Sequence, residues 1–177
     1  MKSLRTAPVL LLALASCLPP IATAQQRGPS TPEERARAIE LVRRLETDPF
    51  NSEAREWRRW LLTWIDEVPD ITVNVCNLLS PLSGSNRRFA REIVLQVIFS
   101  SATFIIENPD KAALDDNAAY IAGVRGALKA YESILKERPE ARWHFLDDLL
   151  RKRDKGELDD WVRRTADQKC APDRQPA

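Results

Sequence analysis

Histidine occurs once in this 177-residue sequence, methionine once and glycine only five times. The lone His144, with no HExxH motif and no cluster of cysteines, leaves no ligand set for a transition metal. Five glycines without a GxxxxGK, GxGxxG or GxSxG pattern leave no phosphate cradle and no nucleophile elbow, so no cofactor is expected. Long apolar runs are missing too. The longest fall short of the roughly 20 residues that span a bilayer, so no transmembrane span is expected. Charge of one sign is not in excess, because 27 basic residues face 26 acidic ones. Such a balance carries no electrostatic footprint for nucleic acid.

What is present begins with an export signal. Lys2 and Arg5 precede the apolar run Val9 to Ala15, and Pro19-Pro20 lead into the small-residue pattern Ala22-Thr23-Ala24. Residues 1–24 therefore read as a secretory signal peptide cleaved before Gln25. A second reading exists, because Leu14-Ala15-Ser16-Cys17 resembles the lipobox of bacterial lipoproteins and would make Cys17 a lipid anchor. The stretch after Cys17, "LPPIATA", stays apolar and ends in a good cleavage site, which favours the first. The expected location is periplasmic or secreted; the alternative is a membrane-tethered lipoprotein held through Cys17. Either cleavage removes Cys17 from the folded domain and leaves Cys76 and Cys170. In an oxidising compartment these two are expected to form a disulfide.

Cleavage at Ala24 leaves 153 residues with 25 basic and 26 acidic side chains, enough for a single domain with a sizeable core. Residues 25–30 read as a short linker, 31–170 as the domain and 171–177 as a C-terminal tail. The periodicity is helical throughout, and the fold class predicted is an all-α compact bundle of about seven helices.

The first helix is announced by Thr31, Pro32 and Glu34, a capping box with proline at the first position, and ends at Asp48-Pro49. A second, beginning near Asn51 or Ser52 and stopping before Pro69, carries Trp57, Trp60, Leu61 and Trp64 on one stripe. The segment "PDITVNVCNLLSPL" fits either a strand or a helix. With no second strand to pair with, a short helix capped by Asp70 is the expectation.

Beyond a loop around Gly84, residues 93–106 are apolar nearly all round, marking a central buried helix that ends at Asn108-Pro109. The following helix carries Gly123 and Gly126 at small-residue spacing, which predicts close approach by the central helix. Two shorter helices flank Gly156. The stretch "AYESILKERPEA" resembles the end of a tetratricopeptide repeat, but no copy lies 34 residues away, and a solenoid needs about three repeats.

Few constellations suggest chemistry, and no catalytic residue is assigned. His144 could serve as a general base with Asp147 or Asp148 one turn away, though a structural role suits a lone histidine between Trp143 and Phe145 better. The "LDD" triplets ending at Asp116, Asp148 and Asp160 lack the spacing of a calcium loop. Arginine pairs at 43-44, 58-59, 87-88 and 163-164, and "RKRDK" at 151–155, read as solvated helix faces. Trp57, Trp60 and Trp64, flanked by Arg55, Arg58 and Arg59, are the one candidate binding stripe, with core packing as the plainer reading.

Taken whole, the chain resembles exported, all-helical bacterial proteins of no assigned activity. That resemblance implies an address and a fold class only. Two functions are expected from it and the residues together: an extracytoplasmic protein-binding or assembly module with a partner in the cell envelope, or a hydrolytic or glycan-processing envelope enzyme using His144 or a carboxylate pair.

Overall fold

The structure, a computed structural model, describes residues 27–74, 76, 78–82 and 85–170. Residues 1–24, expected to be a signal peptide and including Cys17, lie outside the described residues, as do Gly84 and the tail 171–177.

Local signals place the first helix. Thr31 caps α1 (Pro32–Thr47) by accepting the Glu34 N–H at 3.2 Å, while the Glu34 carboxylate accepts the Thr31 N–H at 3.0 Å. Both orphan donors at the helix start are thereby met. The stripe Ala38, Leu41, Val42 and Leu45 is buried as its spacing predicts. Pro49 ends the run, and α2 (Ala54–Glu67) follows with Trp57, Leu61 and Trp64 buried.

Between α2 and the next helix the expected helix over 71–82 does not form. The described residues there have no regular structure from Ile71 to Asn74 and turn between Leu78 and Leu82. The reason lies at Asp70, whose carboxylate is committed elsewhere. It accepts the Ser30 N–H at 2.8 Å, the Ser30 hydroxyl at 2.7 Å and the Arg35 guanidinium at 2.7 Å. A side chain spent on α1 cannot cap a local helix. Burial, not periodicity, then settles the segment, with Ile71, Leu78, Leu79 and Leu82 each inserted into the core.

Burial alone would raise the Asp70 carboxyl, but the hydrogen bonds from Ser30 and Arg35 outweigh it and hold it at about 2. A carboxyl lowered in this way contributes stability above its ordinary value of 3.8 and loses it as the pH falls toward 2. Asp70→Asn should therefore cost roughly 1 kcal/mol at neutral pH, a figure discounted for partial exposure. Urea melts of parent and variant should converge as the pH falls from about 4 to 2.

The centre is α3 (Ala90–Glu107). Its Phe99 and Ala102 pack with α1 and α2 in one apolar cluster, and its Ala90 and Ile93 pack in a second with the later helices. A short α4 (Pro109–Leu114), absent from the sequence reading, follows at once with proline in its first turn. It buries nothing, and Leu114 is 88% exposed, so no apolar stripe announced it. Proline at the first position was the only available signal.

The long α5 (Asp116–Glu137) lies against α3, and its glycines permit the approach. A Cβ on Gly123 would sit 2.7 Å from the Val97 carbonyl oxygen, and one on Gly126 would run into the Ser100 side chain of α3 and sit 2.6 Å from a carboxylate oxygen of Glu46 on α1. No larger residue fits either site without displacement.

Finally α6 (His144–Asp154) and α7 (Leu158–Lys169) close the second cluster through Leu146, Leu149, Leu158 and Val162. Gly156 makes the turn between them at φ 75°, a conformation that favours glycine. Cys170, just past α7, is disulfide-bonded to Cys76, with Cα atoms 5.5 Å apart.

The described residues thus form an all-helical bundle of seven α-helices with no strand. The number agrees with expectation, but α4 takes the place of the helix expected over 71–82.

Candidate functional site: an arginine-lined cleft

Among the open clefts on the described residues, one of about 690 Å³ and one of about 740 Å³ are of similar size. Their charges are arranged in opposite ways.

The larger runs between α1, α3 and α5, and its charged groups are mutually satisfied. Lys129 pairs with Glu46 at 3.1 Å, Arg125 with Asp159 at 2.7 Å, Arg153 with Glu132 at 2.7 Å, and Arg43 with Glu107. Glu46 is buried and also accepts the Ser100 hydroxyl at 2.9 Å, while its backbone carbonyl accepts from Ser133. This is an internal polar network that ties three helices together.

The smaller cleft lies where the α1–α2 turn meets the starts of α2 and α3. Arg55, Arg58, Arg59 and Arg91 line it against a single carboxylate, Glu92, with Phe50, Leu62 and Leu95 supplying apolar wall. Spacing on α2 puts 55, 58, 59 and 62 on one face. Among the described residues no carboxylate lies within ion-pair distance of any of the four arginines.

Arg58 is the best fixed. It is half-buried and donates to the Pro49 carbonyl oxygen at 2.8 Å, and burial lowers its pKa from the ordinary value against the opposing pull of the Glu92 carboxylate. It stays charged, since a guanidinium does not deprotonate in proteins. Phe50 is also held, edge-on to Phe89 with ring centroids 5.0 Å apart and with the Arg138 guanidinium 5.5 Å from its ring centre.

The tryptophan stripe lies off this cleft. Trp57 and Trp64 are 8% and 3% exposed and belong to the cluster under α1 and α3. Trp60 is half-buried, stacked on Trp64 at 5.6 Å and covered by the Arg37 guanidinium at 4.4 Å. None of the three lines the cleft; the flanking arginines do.

His144 is exposed at the first position of α6. The aspartates one turn away are engaged elsewhere. Asp147 accepts the Tyr131 hydroxyl at 2.9 Å and pairs with Arg142 at 3.5 Å, and Asp148 pairs with Arg151 at 2.9 Å. Tyr131 is itself a structural lock: it accepts the Trp143 N–H at 2.7 Å, and burial together with Asp147 pushes its phenol up to about 12. Asp115 caps α5 and pairs with Arg163 at 2.9 Å, and Asp159 pairs with Arg125. Among the described residues no three His, Cys, Asp or Glu side chains gather to hold a metal ion.

An arginine-lined cleft on an all-helical bundle is the class of site this fold defines. No protein-family model matches the chain, and no curated protein and no solved structure is similar to it.

Proposed function

We propose that the protein is a binding module that works outside the cytoplasm, in the periplasm or secreted, and contacts a protein partner through the arginine-lined cleft. The observation that carries this reading is four guanidinium groups gathered with no carboxylate of the described residues in ion-pair distance. A protein that pairs most of its other arginines and leaves these open keeps a concentrated positive field at one mouth. The signal-like segment 1–24 supports the address. So does the Cys76–Cys170 disulfide, which suits an oxidising compartment. No helix among the described residues is long and apolar enough to cross a membrane.

The test is a photo-cross-linking residue in place of the exposed Ser52 at the cleft mouth, in protein expressed in its native host. A discrete adduct should be recovered from the periplasm or medium. The double variant Arg55→Glu/Arg59→Glu should weaken it about tenfold, while Lys136→Glu/Arg164→Glu, with the same charge change elsewhere, should not. An adduct indifferent to the cleft arginines, or no adduct, overturns the proposal.

A further inference from the structure

Resting on the reading above, we infer that the cleft takes a short acidic peptide segment of the partner, one with an apolar side chain between its carboxylates. Two halves of the lining support this jointly. The first is charge, since four arginines against Glu92 leave a formal excess of three positive charges in a cleft of about 690 Å³. That size is within the range of about 300 to 1,000 Å³ typical of ligand pockets.

Guanidinium groups present planar donor forks that match carboxylates two bonds at a time. Arg58 is partly preorganised for this by the Pro49 carbonyl oxygen. The start of α2 lies at the same mouth, where the Asn51 side chain accepts the Glu53 N–H at 3.0 Å and Ser52 is exposed.

The second half is apolar. Phe50, Leu62 and Leu95 are only partly buried, and Phe50 is clamped by Phe89 and Arg138. A free phosphate ion has no use for that wall, and a flat bilayer surface reaches the rim of a concave cleft but not its interior. A peptide that places an apolar side chain against the wall and carboxylates against the arginines uses both halves at once. Arginine clusters recognise acidic motifs in this manner.

The paired charges of the other cleft sharpen the contrast. Its lining is of similar extent, yet Arg43, Arg125, Lys129 and Arg153 each already face a carboxylate of the protein's own. An incoming anion there would have to displace an existing partner.

The test uses the purified mature protein with its disulfide intact, titrated calorimetrically with an acetylated heptapeptide of one central leucine between glutamates. Inorganic phosphate and phosphatidylglycerol vesicles are titrated in parallel. The peptide should bind, more weakly as salt is raised, and Arg55→Glu/Arg59→Glu should weaken it about tenfold. The folded, charge-matched Lys136→Glu/Arg164→Glu variant should bind as the parent does. Failure of the peptide to bind, including the case where only phosphate or vesicles bind through the same arginines, overturns the inference. If the Ser52 cross-link still depends on Arg55 and Arg59, the module reading stands without it; if that dependence is also missing, both fall.

Discussion

Replacing Cys76 and Cys170 together by serine is expected to cost about 4 to 5 kcal/mol of stability. The magnitude follows from the separation of 94 residues, since a cross-link removes more freedom from the unfolded chain the longer the loop it closes. For a domain of this size that loss lowers the melting midpoint by roughly 10 to 20 °C. The variant should still fold. Leu158, Val162 and Ala166 keep α7 in the core, and Leu78, Leu79 and Leu82 keep the partner segment there.

The bond joins the end of the last helix to a segment without regular structure, next to the Lys169–Ser80 contact. Hydrogen exchange should accordingly rise most at the C-terminal turn of α7 and around residues 78–82. A double serine variant within 1 kcal/mol of the parent in urea melts would show that the unfolded chain gains little from release.

Trp64→Ala is expected to cost about 3 to 5 kcal/mol, the range for truncating a large core side chain. Trp64 is 3% exposed in the cluster with Leu41, Leu45, Leu61 and Phe99, and its ring supports the stacked ring of Trp60. Truncation leaves a cavity under α1 that its neighbours fill only in part.

Trp60→Ala behaves differently, because Trp60 is half-buried and its outer face meets Arg37 instead of the core. About 1 to 2 kcal/mol is the expected cost there. Equal losses at the two positions, or a loss below about 1 kcal/mol at Trp64, would contradict this division of the stripe.

Local chemistry made most of the helices legible in advance. Thr31 and Glu34 signal a helix start because both partners lie within one turn, and Pro49, Pro69 and Pro109 mark stops through steric effects on adjacent residues. Gly123 and Gly126 announced a close helix contact because each omits a side chain that α3 would otherwise meet. The disulfide was legible by composition, as the two cysteines beyond the signal-like stretch that holds Cys17. The helix over 71–82 was misread for the complementary reason. Its cap residue Asp70 is claimed by Ser30 and Arg35, 40 and 35 residues earlier, and no local pattern encodes that competition.

The same division governs the candidate site. In sequence the arginine pairs at 43-44, 58-59, 87-88 and 163-164 look alike, each set among acidic residues at helical spacing. Folding separates them. Arg43 and Arg44 meet Glu107 and Glu40, Arg88 meets Glu140 and Arg163 meets Asp115. Arg87 lies over the Trp143 ring and Arg164 makes no ion pair among the described residues, whereas Arg58 and Arg59 are together brought beside Arg55 and Arg91. A charge's environment depends on which groups lie within a few ångströms, and Coulomb attraction fades over about a Debye length of 8 Å in physiological salt. Sequence alone determined that this chain is helical, stapled and nearly neutral. Only the tertiary structure decided where arginines outnumber the carboxylates around them, because neutralisation is a property of neighbours in space.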